Sequence, residues 1–253
     1  MIGSILAWFT DPAHWSGEDG VPHRLFQHLW YTGATLLVAA LVAIPLGLWI
    51  GHTGRARWLV SAANAVRAVP TLGLLLAASL WLGPHLQGDL AYVVPSIGVL
   101  AILAVPPLLA GTYAGIEAVD PAARDAAKGV GMSGRQVLWQ VEVPNALPLV
   151  MSGVRSATLQ VVATATIAAY PGLGGLGRFI IDGQAYGEYR TAAAGALLVA
   201  ALAVALEGLL ALVQRRVVSP GLRGVVGGSR NDDDADPAEM DPAAEPVDVR
   251  AHA

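Results

Sequence analysis

The stretch YPGLGGLGRF, residues 170–179, holds the one spacing in this chain that directly suggests cofactor chemistry. Gly172, Gly174 and Gly177 satisfy G-x-G-x-x-G, the pattern that lets a backbone approach a dinucleotide pyrophosphate at a helix N-terminus. That chemistry needs a buried strand before the glycines, a helix after them and an acidic residue roughly 20 positions on. The residues at that distance read AAAGALLVAA, without an acid, and a long apolar run precedes the glycines. The dinucleotide reading fails on context. Gly172, Gly174, Gly175 and Gly177 instead suit a tight, re-entrant turn, since glycine allows positive φ and close approach.

Other reactive patterns are missing. The six histidines show no H-E-x-x-H or i,i+4 spacing, and there is no cysteine, so a metal centre is not expected. There is no G-x-S-x-G elbow and no basic face for nucleic acid. No G-x-x-x-x-G-K-[ST] phosphate loop occurs, so any nucleotide must be handled by a partner. Neither catalytic residues nor a cofactor are expected in this chain. Tyr170, Tyr186 and Tyr189 gather near the glycines, where aromatic residues anchor at a membrane interface and where a cage for a quaternary ammonium group could also be built.

The surrounding sequence belongs in a bilayer. It is 55% hydrophobic and 13% charged, against about 25% charged residues in soluble domains, and its mean hydropathy is +0.55. Five segments, near 29–50, 60–82, 91–114, 147–169 and 191–213, approach the roughly 20 helical residues that span a hydrocarbon core. None alternates with period two, which argues against barrel strands. The fold class is therefore an all-α membrane protein with about five transmembrane helices. Pro45, Pro70, Pro95, Pro106 and Pro107 interrupt these spans. Each frees a carbonyl that neighbouring helices or a water-lined path must satisfy.

Charge sets the orientation. The 51–57 loop, the 117–146 loop and the C-terminus, with Arg67 and Arg155 just inside the adjoining span ends, hold 12 of the 15 basic residues; Arg24, Arg178 and Arg190 lie on the other side. The positive-inside rule places the C-terminus in the cytoplasm and the N-terminus outside. Within the spans, Arg155 and Glu207 both sit towards the cytoplasmic side, where they can pair or snorkel, and no charge is expected near mid-membrane. Residues 1–27 read as an extracytoplasmic or interfacial segment, and Trp8, Trp15 and the nearby Trp30 are aromatic residues of the kind that sit at headgroup level. Residues 28–218 form the transmembrane domain, with a loop at 117–147. Residues 219–253, which carry eight of the 19 acidic residues, read as a disordered acidic tail.

The 117–147 loop is not linker-like. Asp120 and Pro121 make a helix start, Gly129 and Gly131 a stop, and Ser133 opens a second short helix running to Pro144. Two short helices thus meet at a glycine turn outside the membrane. A helix exposing Ala and Gly offers a low-relief surface for another protein.

This loop resembles the cytoplasmic loop of ABC importer permeases, E-A-A-x-x-x-G, nine residues, then I-x-L-P. Asp125, Ala126, Ala127 and Gly131 match, then Val141, Val143 and Pro144, with Asp in place of Glu and Val in place of Ile and Leu. The resemblance extends over most of residues 25–215 through NAVRAVPTLGLL, VEVPNALPLVMSGVRSAT and GLGGLG, and is nearest to the glycine betaine, carnitine and choline osmoprotectant permeases. It implies a type I importer permease fold in which the loop is a coupling helix for a separate cytoplasmic ATPase that binds ATP and Mg²⁺. It also implies a second permease subunit and an external substrate-binding protein, and it includes Gly172, Gly174, Gly175 and Gly177, whose tight turn fits the outer gate of the path. Methionine or other amino-acid importer permeases are the alternative, and a secondary transporter a distant third, for want of mid-membrane coupling charges.

Overall fold

The structure, a computed structural model, describes residues 2–218; the acidic tail at 219–253 lies outside the described residues. Every regular element among them is helical. In order they are α1 (Ile2–Thr10), a short 3-10 turn (Pro12–Trp15), α2 (Val21–Thr53), α3 (Trp58–Ala68), α4 (Thr71–His85), α5 (Leu90–Glu117), α6 (Pro121–Gly129), α7 (Gly134–Ala168), α8 (Gly177–Ala185) and α9 (Tyr189–Val217). Four of these, α2, α5, α7 and α9, are long and apolar enough to cross a membrane. A fifth crossing exists if α3 and α4 count as one span bent by 88°. The expected 60–82 segment is therefore a broken helix. Its break falls at Val69–Pro70, where proline lacks the N–H that would continue the ladder.

Helix α5 is the centre, sandwiched between α2 and α7, and is the most buried of the spanning helices. Small residues let the backbones meet. A Cβ on Gly111 would lie 2.7 Å from Gly153 Cα, and one on Gly47 would lie 2.7 Å from Thr112 Cβ. In a bilayer, where lipid is as apolar as leucine, such close packing is what holds helices together. Helix α9, by contrast, buries almost none of its apolar window and exposes Leu197, Val204, Leu209 and Leu212, while Leu198, Val199 and Leu202 pack against Phe179 and its neighbours.

The prolines are answered locally. Pro107 cannot donate to the Leu103 carbonyl one turn back, and Gln160 Nε2 from α7 does so instead at 2.6 Å. The second loop helix does not stop at Pro144. It runs into the next span as one helix of 35 residues, because residues 138–142 widen into a π turn that absorbs the clash a proline makes with the preceding turn. The N-terminal segment packs too. Trp8 is buried, edge-on to Phe179 with ring centroids 5.5 Å apart, whereas Trp15 and Trp30 are exposed.

Candidate functional site

The expected interaction loop forms α6 and the turn after it. Asp120 caps the helix by accepting from Ala122 N at 2.8 Å. The far end closes as a Schellman turn: Met132 N donates to Ala127 O, Gly131 N to Lys128 O, and Gly131 adopts φ +88°. Ser133 then opens α7 with a capping box to Gln136. Ala127 faces inward, while Asp125, Ala126 and Gly131 are exposed and Val130 is 78% exposed. Val141 and Val143 are half-buried, and Pro144 is exposed. Asp125 does not anchor the helix; its carboxylate lies out in solvent, 3.7 Å from Lys128 Nζ.

The anchor is a residue that the sequence pattern passes over. Glu142, on α7, is buried with only 2% exposure. Its Oε2 lies 2.6 Å from His52 Nδ1 at the end of α2, and its Oε1 lies 2.9 Å from Arg124 Nε on α6. Arg124 also donates to the Ile116 carbonyl at the end of α5. The carboxylate thus ties the exposed helix to α7 and α2, and Arg124 ties it to α5. The available signal was an acid inside the otherwise apolar run VEVPNALP, since a carboxylate taken from water must be paired.

The glycine turn lies at the opposite end of the bundle. Leu173 and Leu176 are fully buried, and Gly172 and Gly175 take φ of +116° and +89°. Gly175 N donates to Gln27 Oε1 at 2.9 Å, and the buried His28 ring contacts the Val162 carbonyl at 3.2 Å. A Cβ on Gly177 would sit 2.5 Å from the Thr166 carbonyl oxygen. The turn is pressed onto the first turns of α2 and the last turn of α7. Tyr170, Tyr186 and Tyr189 are exposed. Arg24, Gln27, Tyr31, Asp89 and Tyr92 converge around a small polar cavity closed on one side by Gly172 and Gly174.

Three charged residues lie between these ends. Arg155 and Glu207 pair with each other, and Gln214 accepts from the same guanidinium at 2.9 Å, joining α7 to α9. Arg67 is not at a span end. It donates to Gln160 Oε1 at 3.4 Å, and Gln160 in turn holds the Leu103 carbonyl halfway along α5. Arg67 therefore stands near mid-depth, beside the broken-helix bend. Removing it from the basic set leaves 11 residues against three, so the charge bias keeps its sign.

The family model described as "Binding-protein-dependent transport system inner membrane component" matches residues 43–223, a stretch that includes α6 and the glycine turn. The osmoprotectant import permease protein OsmW of Salmonella typhimurium is 32% identical over 200 residues, 78% of this chain and 92% of that protein. The glycine betaine/carnitine/choline transport system permease protein OpuCB of Bacillus subtilis is 32% identical over 204 residues, covering 80% and 91% of the two chains. A chain of the inward-facing MetNI methionine ABC transporter superposes with a TM-score of 0.66 at 19% identity, covering 83% of this chain and all of that one.

Proposed function

The chain belongs to the family of binding-protein-dependent transport system inner membrane components, and from that premise we propose that it passes a quaternary-ammonium osmoprotectant such as glycine betaine, carnitine or choline. It is a multi-pass membrane protein and the permease subunit of an ABC importer. An external binding protein delivers the substrate, and a separate ATPase supplies the energy with its own ATP and Mg²⁺. The N-terminus faces outward and the C-terminus faces the cytoplasm, as the basic residues argue. Two permease chains, alike or different, enclose the path. The substrate class rests on the names borne by the relatives; the methionine alternative has only a likeness of fold behind it.

The observation that carries the energy-coupling part is the Glu142 clasp. A short helix that exposes Ala126, Val130 and Gly131, yet is tied through Arg124 to α5 and α7, can transmit force instead of folding away from it. We assign Asp125, Ala126, Ala127, Gly131, Val141, Val143 and Pro144 to the coupling element, and Gly172, Gly174, Gly175 and Gly177 to the outer gate. Deleting 120–135 is expected to abolish both ATPase co-purification and uptake of labelled betaine, carnitine and choline by cells carrying the complete operon. Uptake that remains coupled to ATP hydrolysis in that mutant would sink the assignment.

A further inference from the structure

The cavity at the end remote from α6 has a volume of about 170 Å³, and Arg24, Gln27, Tyr31, Asp89 and Tyr92 line it. The glycine turn keeps it open. A Cβ on Gly172 would lie 2.7 Å from Tyr92 Cδ1, and one on Gly174 would collide with Gln27 Oε1. Gln27 is fixed, because its Oε1 accepts from both Gly175 N at 2.9 Å and Arg24 Nη1 at 3.1 Å. That bond braces Arg24 at the cavity wall, and its other partner, Asp19, is an exposed carboxylate. Asp89 precedes α5 but makes no capping bond to it. Its charge is not consumed by the helix it starts.

One cation, one anion and two phenol rings therefore surround a space of small-molecule size. A simple anion would meet Asp89, and a simple cation would meet Arg24. A molecule carrying both charges satisfies both walls. A quaternary ammonium group has no N–H donors to leave unsatisfied against aromatic faces, which attract it through the ring quadrupole. A carboxylate takes charge-assisted hydrogen bonds from a guanidinium. We propose that this cavity is a transfer site for a small zwitterion, with its quaternary ammonium between Tyr31, Tyr92 and Asp89 and its carboxylate on Arg24. The proposal rests on the importer reading and adds to it a substrate contact made by the permease itself.

The test uses the full chain with its co-purified ATPase in lipid nanodiscs, without binding protein. Saturation transfer to the N-methyl protons is measured for glycine betaine and for choline, which lacks the carboxylate. Glycine betaine is expected to bind more tightly than choline. Arg24→Gln should bring betaine down to the choline level, and Tyr92→Leu should weaken both by about tenfold, the scale of one such contact. Tyr92→Phe keeps the ring and should keep binding. No transfer to glycine betaine with the unmodified complex, choline binding as well as betaine, or Phe failing as badly as Leu would each overturn the proposal. Whole-cell uptake reports separately on the importer reading: uptake without saturation transfer removes the cavity from the path and leaves that reading in place.

Discussion

At the turn between α6 and α7, a Cβ built on Gly129 or Gly131 would meet nothing within 4 Å. At the turn between α7 and α8, one on Gly172 would lie 2.7 Å from the Tyr92 ring and one on Gly177 2.5 Å from a backbone carbonyl. The first turn uses glycine for backbone conformation alone and keeps its outer surface free. The second also uses it for closeness, pressing the chain onto α5 at Gly172, onto α2 at Gly174 and Gly175, and onto the end of α7 at Gly177. Position is secured differently as well. The α6 end relies on a charged clasp around Glu142, with part-exposed partners, and the glycine-turn end relies on buried Leu173 and Leu176. A surface held by a few polar contacts can remain small and exposed, as a docking element requires. A turn held by packing must be complete before anything beside it can be shaped.

The comparison breaks first at the packed turn. Gly177→Val would push a side chain into the Thr166 carbonyl, which has no rotamer to yield, at a cost of about 3 kcal/mol. The expected outcome is a large drop in the membrane-inserted protein and a lower Tm in detergent; unchanged yield and Tm would mean the turn can open. Glu142→Gln comes next. It leaves Arg124 and His52 facing a neutral amide, and a loss of about 2 kcal/mol is expected, below the 3–5 kcal/mol of a fully buried pair because both partners keep some water contact. Insertion should survive while ATPase co-purification falls, and a double-mutant cycle with Arg124→Gln should show coupling between the two positions. Additive effects would deny the clasp.

Gly131→Asp is smaller. Space is open around it, so only the positive φ resists, at about 1 kcal/mol. Coupled transport should drop while the thermal stability of the bundle hardly moves; Gly131→Asn, which tolerates that backbone region better, should be milder. Val130→Ser is the sharpest probe because it should cost almost nothing, within about 0.5 kcal/mol, at a position 78% exposed. Weakened ATPase binding at unchanged Tm would show that this face is used; unchanged binding would move the contact elsewhere on α6.

Much of the fold was legible in the residues. Long apolar runs and proline interruptions identified the spanning segments, and Asp120, Pro121, Gly131 and Ser133 marked the ends of the loop helices. The limits of that reading have local causes. Pro144 reads as a stop signal, but the π turn at 138–142 carries the helix past it. Residues 60–82 read as one span, but Pro70 divides them into arms bent by 88°. Arg67 reads as a span-end charge until its contact with Gln160 fixes its depth. The tyrosines that line the cavity, Tyr31 and Tyr92, come from helices far apart in the chain.

The sequence by itself determined the solvent, the helical class, the bias of charge and the α6 motif, because hydropathy, capping and turn residues act within a few positions of each other. Only the tertiary structure decided which groups meet. Glu142 finds His52, 90 residues away, and Gln160 finds the carbonyl that Pro107 frees, 57 residues away. Such pairings are set by which helix faces can approach, and that depends on the small residues between α2, α5 and α7. For the same reason the glycines of 172–177 could be read as a turn from their own spacing, while the cavity they keep open could be seen only once α2 and α5 lay against them.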